Sequence, residues 1–177
     1  MFKKYKTRFK GLIVFERKKH NDKRGYLIEI LRERALGKRF KFQILSKSKK
    51  NVLRGLHFQL KKPQAKYISV IKGKILDIAV DLRKKSSTFG KVFSIVLNDK
   101  NCKSIFIPAG FAHGFLTLEK ENIVHYNCTE YRSVGNEYSL NYKDPDLKIK
   151  WPKVRLVVAK KDANAKNLKE LINEKVI

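Results

Sequence analysis

From Lys66 onward the chain alternates short apolar runs with turn residues, and no other feature limits its fold so strongly. In Ile75-Leu76-Asp77-Ile78-Ala79-Val80-Asp81-Leu82 every even position is aliphatic, while Asp77 and Asp81 share the odd face. That is the period of two expected of a strand. Around it stand Tyr67 to Lys72, Lys91 to Leu97, Ser104 to Ile107, Gly114 to Leu118 and Ile123 to Tyr131, divided by Gly73, the Ser86–Gly90 and Asn98–Asn101 turns and Pro108. Short strands with turns about every 8–12 residues predict an all-β sandwich or barrel.

The first third adds Leu12 to Phe15 as a strand, His20 to Gly25 as a turn and Tyr26 to Ile30 as a second extended segment. Leu31 to Gly37 predicts a short helix stopped by its glycine. Phe40 to Ile44 alternates, and Ser46 to Lys50 reads as a solvated link. After Trp151-Pro152 the pattern changes. Leu168, Leu171, Ile172 and Val176 recur at helical spacing, which predicts a C-terminal helix packed on the sheet with Asp162 placed to cap it. No repeat or linker divides residues 1–177, which are expected to form one domain.

The formal charge of +26 implies attraction to anions. The lysines are scattered through strands and turns, whereas nucleic-acid binders concentrate charge on one motif. Cys102 and Cys128 have no metal-ligand spacing and read as reduced thiols. The longest early apolar run, Leu12 to Phe15, is too short for a signal peptide or a membrane span. A cytoplasmic protein without membrane insertion is expected.

Three stretches could carry chemistry. In Asn51-Val52-Leu53-Arg54-Gly55-Leu56-His57-Phe58-Gln59, an arginine and a histidine interrupt a hydrophobic strand, where polar groups are costly without partners. Arg54 is out of register with His57, and a bulge at Gly55 would turn both to one face. The second stretch, Ile107 to Phe115, holds Pro108-Ala109-Gly110 and His113; the third, Tyr126 to Tyr131, brackets polar residues with tyrosines. Pro-x-Gly-x-x-His resembles the second motif of metal-binding cupins. Their His-x-His strand is here His57-Phe58-Gln59, with an amide replacing one imidazole and no glutamate following, so no metal site is expected. Acid/base chemistry remains: His57 as base with a carboxylate partner, Lys66 stabilising an oxyanion and a tyrosine as acid.

The strings Asp22-Lys23-Arg24-Gly25, Arg54-Gly55-Leu56-His57-Phe58-Gln59, Asp77 to Lys84, Ile107 to Phe115, Asp144-Pro145-Asp146 and Trp151-Pro152 stand in the order that resembles the dTDP-4-dehydrorhamnose 3,5-epimerase family. The resemblance implies a cupin-like jelly roll, a homodimer, a nucleotide-sugar substrate and activity without metal or cofactor. It also implies His57 as catalytic base, Asp162 as its carboxylate partner, Lys66 beside the C4 oxygen and Tyr126 as acid. Ala159 stands where the family usually has serine. Arg54, Asp77 and His113 match further active-site positions, Tyr131 lies near a base-stacking tyrosine, and Arg24, with Glu29 close by, matches an arginine that reaches phosphates across the dimer.

The family's Phe-x-Gln-x-Asn-x-Ser corresponds to Phe42-Gln43-Ile44-Leu45-Ser46, with Gln43 retained for substrate binding and no asparagine. GDP-linked 4-keto heptoses, or inversion at C3 alone, are alternatives within the resemblance; retained Tyr126 favours inversion at both C3 and C5. A basic, non-catalytic cupin binding nucleic acid or a sugar nucleotide is the alternative of another class.

Overall fold

In the computed structural model, which describes residues 3–177, two antiparallel sheets face each other and enclose the first core. One contains β1 (Lys3–Lys6), β2 (Ile13–Glu16), β5 (Phe42–Lys49), β7 (Lys66–Lys72), β10 (Lys103–Ile107) and β12 (Glu121–Cys128), in the order β1-β2-β10-β7-β12-β5. The other contains β6 (Val52–Gln59), β8 (Lys74–Asp81), β9 (Val92–Asn98), β11 (Phe111–Thr117) and β13 (Glu137–Ser139), in the order β13-β6-β11-β8-β9. A two-residue strand, β14 (Val157–Val158), lies parallel to β6. Strands β3 (Lys19–Asp22) and β4 (Gly25–Ile28) form a separate hairpin. The jelly-roll expectation is met, with antiparallel neighbours along both sheets.

Strand β8 shows why the alternation was so regular. Its odd residues Ile75 and Ala79 face the core between the sheets, with Ile68, Val70, Leu97, Phe111 and Phe115. Its even residues Ile78 and Val80 join Leu53, Leu56, Phe58 and Leu116 in a second core, roofed by Leu140, Tyr142, Leu147, Leu168 and Leu171. Both faces are therefore dry, and Asp77 and Asp81 are fully buried.

Three segments depart from expectation. His20 to Gly25 is not all turn: residues 20–22 belong to β3 and pair with β4, leaving only Lys23 and Arg24 between the strands. Ser46 to Lys49 is strand, not a link: β5 pairs with β12 along its whole length, from Phe42–Cys128 to Lys49–Glu121. As the edge of its sheet β5 keeps one face largely in water, which dilutes its apolar signal. The C-terminal helix is two short ones, α2 (Lys160–Ala163) and α3 (Leu168–Asn173), after the early α1 (Glu33–Leu36), which ends as predicted at Gly37 in the left-handed conformation (φ 61°). Asp162 lies inside α2 and caps nothing. The start of α3 is satisfied instead by Glu170, which accepts from the Asn167 N–H at 2.6 Å, and by Asp144, which accepts from the Leu168 N–H at 2.6 Å. Leu168 and Leu171 are buried as expected, whereas Ile172 is exposed and Val176 lies beyond the helix. Among the described residues no helix is long and apolar enough to cross a membrane.

Candidate active site

Between the two sheets opens a cleft of about 530 Å³, walled by β5 and β12 on one side and by β6 and the β14–α2 segment on the other, with Lys66 and Glu137 among its lining residues. Strand β6 reaches it through a bulge. Leu53 and Arg54 pair with Leu116 and Phe115, but His57 pairs with His113, so three steps of β6 oppose two of β11. Gly55 makes the bulge possible: its φ is +117°, and a Cβ there would lie 2.6 Å from the Gly114 Cα and 2.7 Å from the His113 carbonyl oxygen. Only glycine accepts both conditions. The result is the one expected of this stretch, with Arg54 and His57 both lining the cleft.

His57 Nε2 lies 2.7 Å from Asp162 Oδ1. The other carboxylate oxygen accepts from the Gly55 N–H at 3.1 Å, so one aspartate grips both the bulge and the imidazole. Burial would raise the Asp162 pKa; the His57 hydrogen bond and charge, the Gly55 N–H and Lys161 outweigh it and hold the carboxyl below the usual range. This hydrogen bond fixes the ring's orientation and tautomer. His113 Nε2 lies 2.9 Å from Asp77 Oδ2, both side chains sealed from solvent.

The opposite wall supplies the remaining groups. Tyr126 on β12 packs edge-on to His113, with centroids 6.4 Å apart, and its hydroxyl lies 3.5 Å from Ser46 Oγ. Burial pushes the phenol pKa well above its ordinary value, which keeps it protonated. Lys66 on β7 is the direct cross-strand partner of Cys128. Desolvation lowers its pKa against the pull of Cys128, Glu137 and Asp77. The His57 imidazole, the Lys66 amine and the Tyr126 phenol thus converge on one space from three strands.

Other sequence-derived residues fall elsewhere. Gln43 is exposed and bonds His125 Nε2 at 3.0 Å; the period of β5 sends its neighbours Phe42, Ile44 and Ser46 into the cleft instead. A one-residue offset in a strand reverses the face, and a sequence string alone does not fix that offset. Arg24 sits in the β3–β4 turn, held by Asp22 at 2.6 Å, and Glu29 pairs with Arg32 at 2.6 Å; neither lines this chain's cleft. Tyr131 is largely exposed, its ring 5.8 Å from that of Phe42 at the rim. Gln59 ties down the following loop, donating to the Lys62 and Tyr131 carbonyls and accepting from the Ser133 N–H. Among the described residues no group of three His, Cys, Asp or Glu side chains could hold a metal ion. Sequence reading missed Arg132, Glu137 and Lys161, which all line the cleft. In a chain with 42 lysines and arginines, no local signal marks two of them.

Residues 6–170 match the family model described as dTDP-4-dehydrorhamnose 3,5-epimerase. A protein of that description from Methanothermobacter thermautotrophicus is 44% identical over 177 residues, covering 96% of each chain. A crystal structure of the dTDP-6-deoxy-D-glucose-3,5-epimerase of Legionella pneumophila, in complex with dTDP-4-keto-L-rhamnose, superposes with a TM-score of 0.94 at 38% identity, covering 100% of this chain and 97% of that one. ChmJ, a 3'-monoepimerase from Streptomyces bikiniensis solved with dTDP-quinovose, gives 0.92 at 28% identity over 98% of this chain and 91% of its own.

Proposed function

The chain belongs to the dTDP-4-dehydrorhamnose 3,5-epimerase family, and from that premise we propose that it inverts C3 and C5 of a dTDP-linked 4-keto-6-deoxy sugar by proton transfer through an enolate. The observation that carries the residue roles is the His57–Asp162 pair on one wall of the cleft, with Tyr126 and Lys66 on the other. A ketone at C4 acidifies the hydrogens on C3 and C5. His57 removes one of them, and Asp162 stabilises the imidazolium that results. The charge that develops on the C4 oxygen meets the Lys66 ammonium in a poorly solvated place, where such an interaction is strongest. Tyr126, kept protonated by burial, returns a proton from the opposing sheet, so the carbon is reprotonated on the other face. A second cycle at the neighbouring carbon completes the double inversion. General acid/base work of this kind contributes ~10²–10⁴ in rate.

The working unit is a cytoplasmic homodimer. Three features support the dimer: a β3–β4 hairpin standing apart from both sheets, the exposed Tyr26 and Leu27 on that hairpin, and an Arg24 remote from its own cleft. An isolated two-stranded hairpin is marginal in water, and a second chain would cover it. Two free, buried cysteines suit a reducing compartment.

The test is solvent-deuterium incorporation followed by NMR with dTDP-4-keto-6-deoxyglucose. Label at both C3 and C5, with inversion at both, is expected; label at C3 alone would reduce the reaction to monoepimerisation. No label at either carbon would overturn the proposal. Light scattering checks the dimer independently.

A further inference from the structure

The end of the sandwich away from the cleft carries a second recess, of about 650 Å³. Its walls are the turns that join β5 to β6, β7 to β8, β9 to β10 and β11 to β12. Strand β7 connects the two places, running from Lys66 in the cleft to Lys72 in the recess, ~20 Å at ~3.3 Å per residue. Five lysines line the recess, Lys50, Lys72, Lys74, Lys100 and Lys120, against the carboxylates of Asp99, Glu119 and Glu121. Two of the lysines are engaged: Lys72 pairs with Glu121, and Lys74 stands 3.9 Å from Glu119. Among the described residues Lys50, Lys100 and Lys120 have no ion-pair partner. We propose that these three ammonium groups form a site for a condensed phosphate, separate from the catalytic cleft.

Convergence is the first support. Lys50, Lys100 and Lys120 stand on three different turns, so the fold and not a local basic run brings them to one space. Like charges facing a shared recess repel, and a multivalent anion between them reverses the sign of that interaction.

The recess is also preformed. Asn122 is fully buried, and its side chain ties three of the walls together. Its Oδ1 accepts from the Lys74 N–H at 3.0 Å, and its Nδ2 donates to the Glu119 and Ser48 carbonyls at 2.7 and 3.3 Å. The fourth wall is joined by Asp99, whose Oδ2 accepts from the Gly73 N–H at 3.0 Å and whose own N–H donates to the Gly73 carbonyl at 3.2 Å. Gly73 lies so near the next turn that a Cβ there would meet the Glu121 carbonyl oxygen at 2.3 Å. A ligand therefore finds its walls already ordered, which lowers the cost of binding.

The lining selects the chemistry. None of the described residues around the recess is aromatic or aliphatic, so no platform exists on which a nucleobase could stack. No arginine is among them to present a planar fork to a single carboxylate. Ammonium groups are point charges that meet phosphate oxygens from several directions. An inorganic chain and the tail of a nucleoside triphosphate share this feature, and only the phosphates would enter.

Isothermal titration of inorganic tripolyphosphate, with excess dTDP present to occupy the cleft, tests the site. Three proteins are compared: native, the triple variant K50A/K100A/K120A, and the control K84A/K85A/K153A. The control removes the same charge from exposed lysines that line neither cavity. The recess variant should bind tripolyphosphate at least about tenfold more weakly than the native protein, and the control should not. ATP should bind no more tightly than tripolyphosphate. In NMR of the native protein the Gly73 amide should shift on titration while the Gly55 amide stays in place. Equal loss in both variants, unchanged binding in the recess variant, a native protein that binds no tripolyphosphate, or a clear preference for ATP would overturn the proposal. The comparison of variants reads the same whether or not dTDP fills the cleft, so its outcome is independent of the epimerase reading.

Discussion

His57 and His113 are direct partners across β6 and β11, yet each imidazole is held by a different carboxylate. His57 bonds Asp162, which arrives from α2; His113 bonds Asp77, from the next strand of the sheet. Only the first of the two keeps appreciable access, with 22% of its side chain exposed against 3%. The sheet thus separates a histidine open to the cleft from one sealed behind it.

His57→Ala should lower deuterium exchange by ~10²–10⁴. Asp162→Asn keeps the shape of the partner without its charge, so it should lower kcat while changing KM little. Single-turnover exchange rates separate the two effects. Exchange at native rate in His57→Ala would remove this residue from the mechanism.

Tyr126→Phe should uncouple two events that the native enzyme joins. His57 still removes and returns a proton on its own face, so deuterium enters the substrate, but inversion is lost. NMR of recovered substrate shows the difference: label with retained configuration. Unimpaired inversion would assign the acid elsewhere.

Lys66 should set a basic limit to activity. Its pKa is lowered by desolvation, so the ammonium is present at low pH and is lost as pH rises, earlier than for an exposed lysine. The rate should fall on the alkaline side accordingly. Lys66→Met should lower kcat throughout and abolish that limb of the kcat profile.

Asp81 ties stability to acid. Burial raises its pKa, but hydrogen bonds from Arg83, Ser86 and Thr88 hold it down at about 2, against 3.8 for the free group. A depressed carboxylate stabilises the fold above its unfolded pKa and loses that contribution as pH falls through the folded one. The difference corresponds to ~2 kcal/mol, present at neutral pH and lost between about pH 4 and pH 2. Urea denaturation at pH 7 and pH 3, native against Asp81→Asn, should show the gap between the two proteins shrink with acid.

Gly55→Ala places a Cβ against the Gly114 backbone at a positive φ. Strain of ~1–3 kcal/mol is expected, and because the bulge aims His57, kcat should fall even where the variant remains folded. Thermal unfolding and exchange kinetics measure the two effects separately.

The barrel and its reacting end were legible because their signals are local. Alternation in Ile75–Leu82 and the Arg54-Gly55-Leu56-His57 string each constrain a few neighbouring residues, and the structure places them as read. What was hidden depended on pairing. Ser46–Lys49 becomes strand through β12, and Gln43 turns outward because the register of that edge strand favours Phe42 and Ile44. Asp162 reads by residue type as a helix cap and by the family resemblance as the partner of His57; the fold bears out the second and adds the Gly55 N–H, which no sequence signal marks. Glu137 stands on β13, Lys161 on α2 and Arg132 in the loop after β12, and no periodicity joins them.

The partner of His57 lies 105 residues further along the chain. A ribosome therefore completes the core strands, from β5 to β12, well before Asp162 is synthesised. Any fold reached without it holds a histidine lacking its carboxylate and a bulge at Gly55 lacking the oxygen that its N–H bonds. A chain stopped short of Asp162 would leave the imidazole and the bulge N–H without the carboxylate that joins them.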